Sequence, residues 1–118
     1  MEDYTLGAIE SRFADIVWKH APLSTGELIR LCEQELGWKR TTTYTVLKKF
    51  SKRGIFDNQN GTVIVRITKE EFYARQSECY VEHSFHGSLS GFVAAFTSRR
   101  KLSAKEIEEL QQIIDQNK

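Results

Sequence analysis

The dipeptide Asn60-Gly61 lies between two β-rich segments, Ile55-Phe56 and residues 63–67, of this 118-residue chain. Asparagine and glycine readily adopt the positive φ angles of a type I′ turn, which joins two antiparallel strands through a two-residue loop. The sequence therefore predicts a β-hairpin centred on Asn60-Gly61. Because a hairpin fixes the pairing of both flanking segments, it restricts the folds open to the residues that precede it.

Three amphipathic helices are predicted before the hairpin. Apolar residues recur at helical spacing over residues 6–19, which indicates the first helix. Ser24 and Glu27 have the spacing of an N-terminal capping box, which opens a second helix that ends near Gly37. A third helix is predicted over residues 40–52, with one apolar side and one polar side.

Three helices followed by a β-hairpin are the element order of a winged helix-turn-helix domain. The predicted fold is therefore mainly α with a small antiparallel β-hairpin, and the winged-helix DNA-binding domain covers residues 1–68. Residues 69–118 show three further helical patterns, over 70–85, around 89–96 and after Ser103. We expect this tail to be a separate helical dimerisation domain.

The tail is too short to bury a stable core alone, yet it carries many large apolar side chains. They could fold back on the winged helix. Packing against the same helices of a second chain is preferred, since a homodimer would place two recognition helices about one DNA turn apart on a palindromic operator. The predicted dimerisation residues are Leu89, Phe92, Val93, Phe96, Ile107, Leu110 and Ile114.

Charge is distributed unevenly along the chain, although the net charge is only +1. No acidic residue occurs between Glu35 and Asp57. The basic residues of the same segment are Lys39, Arg40, Lys48, Lys49, Lys52 and Arg53. A local positive surface of this kind is typical of phosphate binding, although a solvated helix face would give the same pattern.

Helix three carries hydroxyls and positive charges opposite its apolar side. Hydroxyls can bond to phosphates or base edges, threonine methyls can contact thymine, and lysine and arginine bind phosphates. We therefore predict that helix three and the hairpin tip bind double-stranded DNA. The predicted contacts are Arg40, Thr41, Thr42, Tyr44, Thr45, Lys48, Lys49, Asn60 and Thr62. For Tyr44 the alternative is plain solvent exposure. For the domain it is a protein-interaction module that regulates a partner without sequence-specific DNA binding.

Several other classes of function find no support in the sequence. Paired carboxylates, glycine-rich phosphate loops and nucleophile motifs do not occur, so we expect neither an enzyme nor a cofactor. The N-terminus lacks a secretory signal and no segment is apolar enough to insert in a membrane, so the expected location is the cytoplasm. Trp18 and Trp38 are expected to pack in or beside the core rather than to stack on bases.

Cysteines and histidines in the tail have a spacing that metal sites also use. Cys79 and His83 are i, i+4 on a predicted helix, and Glu82 and His86 repeat that spacing. Packing of Cys79 and hydrogen bonding of His83 are the preferred interpretation, and no metal is predicted. The two cysteines form no CxxC motif and are expected to be separate thiols.

The order and spacing of residues along nearly the whole chain resemble the penicillinase-repressor family, which represses β-lactamase and methicillin-resistance genes. No single motif is diagnostic, but the joint order is specific. In the winged helix the matching residues are Leu6, Glu10, Ile16-Val17-Trp18, Thr25, Glu27-Leu28-Ile29, Trp38, Thr42, Thr45-Val46-Leu47, Lys52, Gly54 and Gly61. In the tail they are His83-Ser84-Phe85, Gly87-Ser88-Leu89, Leu102-Ser103 and the helix over residues 106–116.

The resemblance implies a homodimeric repressor with a winged helix on DNA and a three-helix dimerisation tail. It also implies a membrane sensor-protease partner, whose pathway leads to a cut between an asparagine and a phenylalanine in the fifth helix. The matching bond here is Ala95-Phe96, so the asparagine is replaced. Thr41, Tyr44 and Thr62 also depart from the residues usual in the family, which implies a readout that differs from the family's usual operator.

Overall fold

A computed structural model describes residues 4–118, which form six helices and a three-stranded antiparallel sheet. The predicted fold class is confirmed, since three helices and a hairpin come first and three helices follow. The helices are α1 (Ala8–His20), α2 (Thr25–Leu36), α3 (Arg40–Lys52), α4 (Lys69–Ser84), α5 (Leu89–Arg99) and α6 (Ala104–Gln116). The strands are β1 (Leu23–Ser24), β2 (Phe56–Gln59) and β3 (Thr62–Val65). None of these helices is both long and apolar enough to cross a membrane.

Strands β2 and β3 form the predicted hairpin. Gln59 pairs with Thr62, so the loop consists of Asn60 and Gly61 alone, with φ angles of 53° and 89°. Positive φ at both loop positions confirms the turn that the dipeptide predicts. The side-chain carbonyl of Asn58 stabilises the loop by accepting a hydrogen bond from the Gly61 N–H at 2.9 Å.

A third strand, β1, differs from the expectation of a two-stranded hairpin. Leu23 lies opposite Val63 and Ser24 lies opposite Thr62, so the strand order is β1-β3-β2. With only two residues, β1 is too short to show an alternation of apolar and polar positions. It forms because the segment before α2 runs beside β3, which is a long-range relationship.

Aromatic rings form the centre of the winged-helix core. Phe13, Phe50 and Phe56 are completely buried, and Phe50 stacks on Phe56 with ring centres 5.2 Å apart. Phe13 lies 5.2 Å from Phe50 and stacks on Trp38 at 5.6 Å, while Trp18 meets Phe56 edge-on at 5.5 Å. Both tryptophans therefore pack against the core, as predicted, and the cluster joins α1, α3 and the hairpin.

Capping interactions set the ends of the first two helices. Helix α1 begins later than predicted because Gly7 is its N-cap and donates its N–H to the Glu10 carboxylate at 3.2 Å. Ser24 accepts the N–H of Glu27 at 3.1 Å, and Gly37 ends α2 with a φ of 68°. The predicted cap at Ser24 and the predicted stop at Gly37 are both confirmed.

The chain divides into two compact units, one that reaches to Ser77 and one that comprises Glu78–Lys118. Helix α4 contributes to both. Every buried residue of the described chain lies in the first unit, and no residue of the fully described second unit is buried. The second unit does contain the predicted capping box, because Ser103 accepts the N–H of Glu106 at 3.1 Å and Glu106 accepts the N–H of Ser103 at 2.9 Å.

Candidate nucleic-acid interface

Helix α3 separates a buried side from an exposed side. Thr43, Leu47 and Phe50 are buried against the core. The exposed residues are Arg40, Thr41, Thr42, Tyr44, Thr45, Lys48, Lys49 and Lys52, and we call all of them except Lys52, at the last position of the helix, the α3 surface. All of the helix residues predicted to contact DNA therefore lie at solvent, and none of the residues of α3 is acidic.

Hydroxyl groups on the α3 surface differ in what they can offer a ligand. Thr45 donates its hydroxyl proton to the carbonyl of Thr41 at 2.9 Å, within the helix. Since a hydroxyl has one proton and two acceptor lone pairs, Thr45 presents acceptors and a methyl group to solvent. Such a side chain suits a base amino group or the methyl group of thymine better than it suits a phosphate.

The cations of the α3 surface differ from Arg53, which follows α3, in what they contact. Arg40, Lys48 and Lys49 are exposed and have no ion-pair partner within residues 4–118. Arg53, by contrast, donates to the carbonyl of Thr5 at 3.1 Å and lies over the ring of Phe50. Arg40, Lys48 and Lys49 carry charge that an anion could neutralise, whereas Arg53 holds the end of α3 in place.

The tip of the hairpin wing is exposed at both predicted contact positions, Asn60 and Thr62. Asp57, the first acidic residue after the basic segment, pairs with Arg66 across the hairpin at 2.7 Å. The hydrogen bond from Arg66 lowers the pKa of the Asp57 carboxyl. The negative charge at the base of the wing is therefore compensated and does not oppose the approach of an anion.

Thr25, the first residue of α2, is bound to the wing. Its backbone N–H donates to the Gly61 carbonyl at 2.9 Å. The nearby side chains of Thr25 and then Arg40 lower the pKa of the Tyr44 hydroxyl. The Arg40 guanidinium also lies 5.8 Å from the centre of the Tyr44 ring. Residue patterns alone assigned Thr25 no role, because its contacts depend on the long-range pairing of β1 with β3.

The predicted dimerisation residues lie on α5 and α6, in the second unit. Those that are exposed are Leu89, Val93, Phe96, Ile107, Leu110 and Ile114. Phe92 is half-buried, with its ring 5.5 Å from that of Phe85. A groove of about 380 Å³ is lined by Phe92, Phe96 and Leu110, among others. Apolar side chains grouped in this way are typical of a surface that another chain covers.

The predicted cleavage bond, Ala95-Phe96, lies inside α5. Arg100 covers the Phe96 ring with its guanidinium 5.0 Å from the ring centre and pairs with Glu106 at 2.7 Å. The hydrogen bonds from Arg100 and from the Ser103 N–H lower the pKa of Glu106 to about 2. Because the bond is helical in the folded chain, cleavage there would require local unfolding of α5.

Tail residues with metal-like spacing do not come together as a metal site. Within residues 4–118, no group of three or more His, Cys, Asp or Glu side chains could hold a metal ion. Cys79 is a half-buried free thiol, and Glu82 and His86 are exposed. Cys32 is a buried free thiol of α2, and its burial raises its pKa.

A three-helix unit with a β-hairpin wing and an exposed cationic third helix defines a winged-helix protein of the helix-turn-helix class. Comparison with known families takes the assignment further, because the family model described as penicillinase repressor matches residues 6–116. The chain belongs to the penicillinase repressor family, a family of transcriptional repressors. The resemblance seen in the sequence is thereby confirmed, and the match extends into both units.

Curated relatives align over nearly the same length. The chain is 28% identical over 107 residues to the penicillinase repressor of Bacillus licheniformis, an alignment that covers 87% of this chain and 84% of that protein. It is 22% identical over 116 residues to the methicillin resistance regulatory protein MecI of Staphylococcus aureus and to that of Mammaliicoccus sciuri. Those alignments cover 95% of this chain and 94% of each relative.

Proposed function

We propose that the chain is a homodimeric transcriptional repressor that binds a palindromic operator through α3 and the wing. The observation that carries the proposal is the α3 surface, where Arg40, Lys48 and Lys49 lie exposed beside hydroxyl groups on a helix without acidic residues. Phosphates would neutralise the cations, while hydroxyls and methyl groups would contact base edges. Membership in a repressor family supports the same function.

Two kinds of contact are proposed within this interface. Lys48 and Lys49 would bind phosphates and so contribute to affinity for every DNA sequence, whereas Thr41 and Thr45 would contact bases and so select among sequences. The wing would add contacts to the DNA backbone. The proposed DNA-binding residues are Arg40, Thr41, Thr42, Tyr44, Thr45, Lys48, Lys49, Asn60 and Thr62.

A gel-shift experiment on the DNA upstream of the chain's own gene tests the proposal. Lys48→Ala should weaken binding to that DNA and to unrelated DNA alike, whereas Thr41→Ala or Thr45→Ala should change the preference between them. Lys105→Ala is the matched control, because it removes an exposed lysine of α6. If all three α3 variants bind as the wild type does, α3 is not the reader. A folded wild type that binds no DNA would favour a protein-interaction module.

We propose further that α5 and α6 pair with the same helices of a second copy. The absence of any buried residue in Glu78–Lys118 supports this, because a unit with that many apolar side chains needs a partner surface to bury them. A two-fold arrangement would present two α3 helices to two half-sites about one DNA turn apart. The operator would accordingly be palindromic.

Sedimentation velocity tests the proposed dimer. Leu110→Asp or Phe96→Asp should yield monomers, because each would place an unpaired charge in the apolar interface. Gln112→Asp, at an exposed polar position of α6, is the control and should remain dimeric. A dimer that persists in both apolar-position variants would contradict the assignment of these helices.

We propose Ala95-Phe96 as the bond at which a sensor protease would act, by correspondence with the cut that the family resemblance implies. The intact mass of the chain recovered from cells exposed to a β-lactam tests this. Fragments that end at Ala95 and begin at Phe96 are expected. A chain that stays intact while its target genes are expressed would show that induction does not use this bond.

A further inference from the structure

We propose that the backbone N–H of Thr25 positions the wing tip, residues 60–62, for contact with DNA phosphates. The inference rests on the proposed DNA binding and assigns a positioning role to a residue that lies on neither α3 nor the hairpin. The role belongs to the N–H and not to the Thr25 side chain, so variants that differ only in that N–H can test it.

Gly61, between the two exposed contact positions of the wing, is held by hydrogen bonds at both of its backbone groups. Its carbonyl accepts the N–H of Thr25 at 2.9 Å, and its own N–H donates to the side-chain carbonyl of Asn58 at 2.9 Å. Beside these bonds, Ser24 pairs with Thr62 on β3. The wing tip is therefore bound by α2 on one side and by β2 on the other.

The bond from Thr25 uses a donor that the helix itself does not pair. The first four N–H groups of an α-helix have no carbonyl partner within that helix, and Thr25 is the first residue of α2. A carbonyl in a two-residue hairpin loop likewise has no strand partner and would otherwise bind water. Each group thus supplies what the other lacks, and the start of α2 fixes the loop.

Helix α2 is in turn fixed to the core that carries α3. Leu28 and Cys32 of α2 are completely buried, in the same cluster as Leu47 of α3. Leu23, two residues before Thr25, is also buried in that cluster. The wing tip and α3 are therefore both attached to α2, so their relative position is set before DNA binds.

A wing tip held in advance should bind more tightly than a mobile one. A mobile loop loses conformational freedom when it binds, whereas a loop that is already ordered loses less. Asn60 and Thr62 are exposed on either side of Gly61, so fixing that one peptide orients both contact positions. Loss of the holding bond should weaken binding about threefold for each wing, and about tenfold for the proposed dimer with two wings.

The first test compares two variants of Thr25 by operator affinity. Thr25→Pro removes the N–H at a position that suits proline, because proline is common at the first residue of a helix and Ser24 already has an extended backbone, with φ −71° and ψ 155°. Thr25→Ala is the matched control, because it removes the side chain but retains the N–H. Thr25→Pro should bind about tenfold more weakly and Thr25→Ala about as tightly as the wild type. Unchanged affinity in Thr25→Pro, or an equal loss in both variants, would overturn the proposal.

A second measurement separates positioning of the wing from general damage to the fold. Operator duplexes that each carry one uncharged methylphosphonate linkage identify the phosphates that the protein contacts. Linkages whose effect is abolished by Thr62→Ala belong to the wing, and those whose effect is abolished by Lys48→Ala belong to α3. In Thr25→Pro the wing linkages should lose their effect while the α3 linkages retain theirs. A uniform change at all linkages would overturn the positioning role.

Amide hydrogen exchange measures the two bonds of Gly61 without DNA. The N–H groups of Thr25 and Gly61 should both exchange more slowly than in an unstructured chain, because both are hydrogen-bonded. Asn58→Ala removes the acceptor of the Gly61 N–H, and should abolish its protection and weaken operator binding. This variant decides the question if Thr25→Pro fails to fold, since unchanged affinity would show that the wing tip need not be held. An unprotected Thr25 N–H would overturn the bond itself.

These readouts separate failure of the inference from failure of the proposed function. A protected Thr25 N–H together with unchanged operator affinity in Thr25→Pro would overturn the positioning role and leave DNA binding standing. A folded wild type that binds no operator would overturn both.

Discussion

Raising the salt concentration should weaken operator binding by an amount that follows from the three cations of the α3 surface. Arg40, Lys48 and Lys49 are exposed and unpaired by any acid within residues 4–118. Each phosphate that a protein neutralises releases counterions. A plot of the logarithm of affinity against the logarithm of salt concentration therefore has a slope of about −0.9 for each neutralised phosphate. Three cations in each protomer make six in a dimer, and the predicted slope is about −5.

The expected effect is large enough to measure by fluorescence anisotropy with a labelled operator duplex. A rise from about 50 to about 200 mM salt should weaken binding by about three orders of magnitude. Lys48→Ala removes two of the six cations and should reduce the slope to about −3.5. Specific and unrelated duplexes should show the same change in slope, because phosphates carry no sequence information.

The control for this prediction is a lysine of the second unit, and either of two results would refute the reasoning. Lys105→Ala removes an equally exposed lysine from α6 and should leave the slope at its wild-type value. A wild-type slope shallower than about −2 would refute the idea that these cations neutralise phosphates. So would a slope that Lys48→Ala and Lys105→Ala change equally, since the effect would then not belong to α3.

Three further predictions concern stability, at a fixed protein concentration. Phe13→Ala should lower the free energy of unfolding by about 3–5 kcal/mol, because the Phe13 ring is fully buried against other rings. In the same urea titration, Ile9→Ala should lower it far less, because Ile9 is 50% exposed. Gly61→Ala should lower the free energy of unfolding by about 1–2 kcal/mol because residue 61 has a φ of 89°. Gly26→Ala, inside α2, should raise the free energy of unfolding. Equal effects of the two substitutions would contradict this explanation. The pKa of Glu106 falls from 4.5 to about 2 when its carboxylate is bound by Arg100 and Ser103, so its stabilising contribution is present above pH 4.5 and disappears toward pH 2. Above pH 4.5, the thermal midpoint of the wild type should exceed that of Glu106→Gln. A difference that persists undiminished at about pH 2 would show that the charge of Glu106 is not its cause.

Local features of the fold could be predicted because a few neighbouring residues determine them. The turn at Asn60-Gly61 and the stop at Gly37 each require a positive φ that few residues adopt, and the structure has these angles. The apolar side of α3 was equally predictable, since Thr43 and Phe50 are seven residues apart and share a helix face. Such signals are contained within one or two turns of chain.

Long-range contacts leave no comparable pattern in the sequence. Strand β1 exists only because it pairs with β3, whereas the sequence around Ser24 indicates only the helix cap that Ser24 also forms. The indole N–H of Trp18 donates to the carbonyl of Ile67, 49 residues later, at 3.0 Å. The sequence predicts that Trp18 packs in or beside the core, but it does not indicate the partner of its N–H.

Within the candidate interface, too, the sequence predicts some properties of the side chains and not others. Composition indicates the class of ligand, because a segment rich in hydroxyls and cations without acids suits DNA. It overstates how many of those groups are available, since Thr45 donates its proton to Thr41 and the Arg40 guanidinium lies 5.8 Å from the centre of the Tyr44 ring. Hydrogen bonds within the chain thus decide which side chains are left for phosphates and which for bases. Substitutions that remove a hydroxyl but preserve shape are therefore more informative at this surface than alanine scanning, which removes packing and hydrogen bonds together.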